Sequence, residues 1–484
     1  MLEFLIVVVA IAVFAALGFS FYSFLRYFTG NKDSGNISLT DFRQHLPTRF
    51  TVILLMAVTL LIPLSMIEGV VRERHQSYRS VLQDIGSRWG YEQILTGPIL
   101  VVPYQYRYST SNSVLNANGV YQDISQWHES SHQALILPDG LTIKGNIDPE
   151  YRQRSIYKSL VYRMQLRVSG QFHDVEKRIL DMTDDSKLHS IAWDKAYLSI
   201  GLSDPSGVED SLRPVFNNRT VRFSPGSRLT QQLPKGLHIP LSLADTAVLP
   251  FDFQLQLRGS QGFRVAPLGE RTTVQIQSSW EHPSFYGDLL PKHHEIASGQ
   301  GFSADWSISR LVRSFPQQWT QGSGEHNLNE ISFGVKLFEP VTLYTETTRA
   351  VKYGILFIGL TFVSLLLVEW LTGVRPGYLQ YFMIGASLSL FYLLLIALAE
   401  HTGFAIAYLS ATFIVIGMIG LYSLSILKRP LLAALVSSVL VVLYSVLYLI
   451  LQSEDYALLS GTILITATLA ASMYFTRGSN SPPA

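Results

Sequence analysis

The chain has 484 residues, 48% hydrophobic and only 15% charged, so it carries more apolar surface than one soluble domain buries. A formal net charge of +1, with Lys and Arg forming no dense stripe, excludes a nucleic-acid partner. The absence of cysteine excludes disulfides, zinc–thiolate sites and Cys nucleophiles, and suits an oxidising envelope compartment.

Residues 4–25 form an apolar stretch too long and uniform for a signal peptide, and they lack a cleavage site with small residues, so they predict a retained membrane helix. A polar connector follows at 26–49, and a second span is predicted over 50–71, with Pro63 inside it and Glu68 toward its end. Val81, Ile85 and Trp89 recur at helical spacing, which predicts a short helix over 72–90 leaving the membrane.

Strand patterns dominate from there to about residue 338. Residues 161–172, 197–202, 251–257, 273–280 and 331–338 alternate apolar and polar types or are rich in β-branched and aromatic residues. Turn clusters separate them, among them Asp204-Pro205-Ser206-Gly207 and Ser224-Pro225-Gly226.

Within this region His128-Glu129-Ser130-Ser131-His132 matches HExxH. On a helix the two histidines would share one face around a zinc ion, with Glu129 as general base and Glu150 as a third ligand. The two serines are weak helix formers, and residues 134–137 end at Pro138 and read as a strand, which favours surface histidines on a loop or strand. His293, His294 and Glu295, with His282 nearby, fit a solvated loop, because adjacent histidines on an extended chain point to opposite sides. Ser155 and Lys158 match SxxK without the partner motifs that chemistry needs. No catalytic, metal or cofactor residue is therefore assigned.

Five further spans are predicted at 351–371, 379–399, 404–427, 431–451 and 456–475. Glu369 lies toward the end of the first, while Glu400 with His401 and Glu454 with Asp455 occupy tight turns. With Glu68, these six are the candidate functional residues, because ionisable groups at membrane depth are costly and mark ion or proton paths when they have a role. Gly417, Gly420, Ala467 and Ala471 permit bending or close helix approach.

Arg375, Lys428, Arg429 and Arg477 fall on one side of these spans and the Glu400 and Glu454 turns on the other, which makes the basic side cytoplasmic. The reading is an α-helical integral membrane protein of about seven transmembrane helices with a large inserted all-β, sandwich-like extracytoplasmic domain. Its parts are an N-terminal membrane region at 1–71, the β-rich domain at 72–350, a five-helix membrane bundle at 351–476 and a cytoplasmic tail at 477–484. The large domain is expected outside the cytoplasm.

Several strings resemble the CreD family of inner-membrane proteins: residues 61–70, 97–104, 200–205, 257–260, 282–285, 349–354, 399–404 and 451–459. Together they cover about residues 45–476. The resemblance implies a location in the bacterial inner membrane with the large domain in the periplasm and a part in cell-envelope integrity or stress response, with expression often tied to a two-component regulator, and it brings no catalytic residue. The span at 4–25 is additional to the family pattern, and HExxH is not part of it. The expectation is a non-enzymatic protein whose external domain binds an envelope protein or cell-wall component. The alternatives are a transporter or lipid-handling protein using the C-terminal spans and, third, an external zinc peptidase at 128–132. The oligomeric state is open.

Overall fold

The computed structural model describes residues 51–452, apart from 116–120, 184–187, 212–213, 244–246, 298, 325, 338, 340–342, 373, 375 and 428, together with 462, 466, 470 and 473. The chain divides into two compact units, one of Arg79–Pro340 and the other of Met1–Tyr78 with Val341–Ala484. The first is built from strands and the second from helices.

The principal strands of the first unit are β1 (Gln93–Leu115), β2 (Tyr121–Ile136), β3 (Gly140–Arg154), β4 (Tyr157–His173), β5 (Tyr197–Leu202), β6 (Val248–Ser260), β7 (Gly262–Ala266), β8 (Arg271–Ser278), β9 (Gly301–Ser309) and β10 (Phe333–Leu337). Among the described residues they form a ten-stranded sheet around β5-β1-β7-β10 and a nine-stranded sheet around β9-β8-β3-β4-β6. Most neighbours are antiparallel, but β1 runs parallel to β7 and β3 parallel to β8.

Period-2 alternation builds the core. Met164, Leu166 and Val168 of β4 and Phe251, Phe253 and Leu255 of β6 point inward, while Arg163, Gln165 and Arg167 alternate outward. They share one buried cluster with Leu100 and Val102 of β1, so the two sheets bury their apolar faces together. The intervening Ile99 and Val101 face a second cluster with Leu135, Leu229, Leu268 and Trp319. That double burial is why residues 99–102 of β1 form a continuous apolar run rather than an alternating one.

Of the expected strands, 197–202 coincides with β5, and 161–172, 251–257, 273–280 and 331–338 fall on β4, β6, β8 and β10 with shifted ends. Residues 134–137 lie largely in β2. The histidines at 293 and 294 stand on an exposed strand, His293–Ala297, rather than on a loop. Ser155, with φ 56°, turns the hairpin between β3 and β4, where Arg154 faces Tyr157.

In the second unit the described residues hold α1 (Thr51–Trp89), which continues to Trp89 in the first unit, and α3 (Leu343–Thr372), α4 (Tyr378–Thr402), α5 (Phe404–Leu427) and α6 (Pro430–Gln452). A short helix, α2 (Val175–Met182), belongs to the first unit. Five of these helices are long and apolar enough to cross a membrane, α3 over Leu343–Leu366. The expected spans at 4–25 and 456–475 lie outside the described residues, save 462, 466, 470 and 473. No separate short helix forms over 72–90, because α1 runs unbroken through it. Hydropathy marks where hydrocarbon ends, not where backbone hydrogen bonding ends, so α1 overruns Val71 and α3 starts ahead of Val351.

Among the described residues, glycines let helices of this unit approach closely, Gly420 of α5 against Ser437 of α6 and two more among α1, α3 and α4. A Cβ added at Gly354 of α3 would stand 2.9 Å from Leu64 of α1 and 3.2 Å from Tyr392 of α4. One added at Gly385 of α4 would overlap Leu60 of α1 and meet Phe362 of α3 at 2.8 Å. Small residues here let three helices approach closely, the usual basis of association in lipid.

Candidate functional site

Two carboxylates of the helical unit are withdrawn from solvent, and each accepts from a tyrosine across the α3–α4 pair. Tyr381 of α4 donates to Glu369 of α3 at 2.9 Å, with Glu369 only 4% exposed. Tyr344 of α3 donates to Glu400 of α4 at 3.3 Å. The two bonds tie opposite ends of the pair, because Tyr344 and Glu369 are separated by about 25 residues, roughly 37 Å of helix.

The Glu400 end carries further groups. Arg74 Nε of α1 lies 3.9 Å from the Glu400 carboxylate, and the His75 and Tyr78 rings pack on Tyr344 at 5.9 and 5.1 Å. Glu346 is buried in the first turn of α3. The tyrosine hydrogen bond, the guanidinium contact and the ring packing together tie α1, α3 and α4 at this end.

The other candidates stand apart from it. Glu68 is paired with Arg72 one turn along α1 at 3.1 Å, with both side chains well exposed, and His401 is exposed. Glu454 and Asp455 lie outside the described residues. The sequence reading missed Arg74, His75, Tyr78, Tyr344 and Tyr381. The available signal was their position in the turns bordering the apolar runs, where aromatic and basic side chains gather at a membrane interface.

In the strand unit, HExxH lies within β2 rather than on a helix. His128 and His132 share a strand face but stand about 13 Å apart along it, too far to ligate one zinc ion at about 2 Å each. Each is instead stacked on a tyrosine of β1, His128 on Tyr108 and His132 on Tyr104. Among the described residues no group of three His, Cys, Asp or Glu is placed to hold a metal.

In the strand unit a cluster of charged side chains surrounds the end of α1. The guanidinium groups of Arg152, Arg258 and Arg163 stand 4.1, 4.9 and 5.2 Å from the Trp89 ring centre, and Trp89 donates to the Tyr162 carbonyl at 3.3 Å. Glu150 and Glu209 pair with these arginines, and Asp84 with Arg154. Gly90, with φ 131°, ends the helix where a Cβ would stand 2.7 Å from the Arg258 carbonyl.

These features define a class: a multi-span membrane protein whose apolar helices flank a large inserted domain of β-sheet. Within it the chain belongs to the CreD family, since residues 45–480 match the family described as inner membrane protein CreD. It is also 33% identical over 423 residues to the inner membrane protein CreD of Escherichia coli strain K12, across 86% of this chain and 90% of that one.

Proposed function

We propose that the protein supports cell-envelope integrity as a non-enzymatic inner-membrane protein, with its strand unit in the periplasm as a two-sheet sandwich that binds an envelope protein or cell-wall component. About seven spans anchor it, counting residues 4–25 and 456–475. The observation that carries the reading is the insertion of one large β unit between α1 and α3 of a family of inner membrane proteins. Support for the orientation comes from Arg375, Lys428 and Arg429 lying at the opposite helix ends from Glu400 and His401 in the sequence. The test is cross-linking in intact cells under envelope stress, followed by purification of the full chain. An envelope component attached through residues 79–340 is expected, and recovery of none contradicts the reading.

A second reading, lipid handling, is favoured by one observation. A groove of about 810 Å³ runs between α5 and α6, lined by residues such as Phe413, Gly417, Gly420, Ala433 and Val441. Filling it with Gly417→Leu, where an added Cβ meets nothing within 4 Å, should displace co-purifying lipid if an acyl chain occupies it, and unchanged lipid content contradicts this reading.

A further inference from the structure

The nine-stranded sheet turns one face to the core and leaves the other open. Across β9-β8-β3-β4-β6 the outward side chains stand in register. One row reads Ser303, Gln277, Asn146, Gln165 and Gln256, and the next Asp305, Gln275, Lys144, Arg167 and Gln254. A third holds Ser307, Thr273, Thr142, Ser169 and Asp252. A solvated polar face is ordinary for a sheet. This one sets four amides side by side on adjacent strands, among them an asparagine, a type that strands disfavour.

The way its polar groups are spent limits what the face can hold. Arg167 donates to Asp252 at 3.0 Å, and at one end Arg163 and Arg258 pair with Glu209. Over the three rows the formal charges cancel, Lys144 and Arg167 against Asp305 and Asp252. The amides of Gln277, Asn146, Gln165, Gln256, Gln275 and Gln254, by contrast, make no hydrogen bond to protein among the described residues. All but Gln275 are exposed. No outward side chain in these rows is a large apolar one, so the face lacks the anchors that dominate protein interfaces. Without net positive charge it also has no hold on a nucleic acid or an anionic lipid.

What it complements is a neutral ligand rich in hydroxyls. A side-chain amide offers donors and an acceptor, the counterpart of two adjacent hydroxyls on one sugar. Neighbouring strands lie about 4.8 Å apart, close to the length of one sugar in an extended β-1,4-linked chain. The geometry points to a glycan-binding face, on which an uncharged β-1,4-linked glycan lies across the strands and meets Gln277, Asn146, Gln165 and Gln256 at one sugar each. This site rests on the reading that the strand unit meets a cell-wall component, and it gives that component its chemistry.

The test is calorimetric titration of the full-length protein in detergent with the β-1,4-linked hexamers of N-acetylglucosamine and of glucose. Saturable binding of at least one hexamer is expected, with an affinity that added salt leaves unchanged because a neutral ligand is not screened. Gln165→Ala combined with Gln256→Ala should weaken binding at least about fivefold through the lost hydrogen bonds, at an unchanged thermal midpoint. Gln126→Ala, which removes an exposed amide of the other sheet, should bind as the parent does. Binding of neither hexamer, an affinity that falls with salt, or equal affinity in the double variant would overturn the proposal. An envelope protein cross-linked through residues 79–340 of a chain that binds neither hexamer would remove the glycan face and leave the proposed function standing.

Discussion

At the scale of single residues, Asp204 shows how a short sequence motif becomes a fixed point. Its carboxylate accepts from Tyr91 N–H at 3.1 Å and from Ser206 N–H and Oγ at 3.2 and 2.6 Å. Burial pushes the carboxyl up, but the Ser206 and Tyr91 donors, with Lys235 nearby, outweigh it and hold it below the ordinary carboxylate range. A folded-state pKa below the unfolded value contributes stability that is present above about 3.9 and lost as pH falls through the depressed value. Asp204→Asn should therefore lose stability at neutral pH and show a shallower decline below about pH 4, read as urea midpoints across pH. Parallel curves for the two proteins would contradict this. The turn at Asp204-Pro205 was legible from composition alone. Its reach back to Tyr91 was not, because nothing local in the sequence joins residues more than 100 positions apart.

Elements were legible to the extent that one physical signal dominated them. The span at 404–427 coincides with α5 because hydrocarbon length sets it. The ribbon of β1 and β2 was largely unread, since exposed polar residues such as Ser109, Thr110, Ser111, Ser125 and Gln126 succeed one another without alternation. HExxH does not by itself specify a helix, because a four-residue spacing puts side chains on one face of a strand as well, and the two serines and Pro138 already favoured a loop or strand there. The helical extension beyond residue 71 was read as separate because hydropathy changes there while the hydrogen bonding of α1 does not.

The junction at the end of α1 depends on Trp89, which carries three arginine contacts. Trp89→Ala should destabilise the strand unit by about 2–4 kcal/mol, through lost packing and cation–π attraction, as judged by denaturant midpoints. A loss under about 0.5 kcal/mol would refute the anchoring role. Among the membrane-capable helices, Gly385→Val should lower the thermal midpoint of the detergent-solubilised protein by several degrees, because its branched side chain would collide with Leu60 and Phe362. The same change at exposed Gly417, where a Cβ meets nothing within 4 Å, should have little effect.

At the scale of the whole molecule, apolar surplus and basic flanks suffice to separate membrane helices from an inserted β domain, but not to pair side chains across helices. Glu400 was singled out by an expected tight turn, although with His401 it lies in the last turn of α4, and Glu369 by its place toward the end of a predicted span. Their tyrosine partners follow from the antiparallel packing of α3 and α4, which no local pattern encodes. The central claim is that the strand unit lies outside the cytoplasm. The cysteine-free chain allows a direct measurement with single cysteines at Leu290, 71% exposed in the strand unit, and at Arg429 between α5 and α6. A maleimide that reaches the periplasm of intact cells but cannot cross the inner membrane should label Leu290→Cys and spare Arg429→Cys until that membrane is opened. Labelling of Arg429→Cys alone would contradict the account.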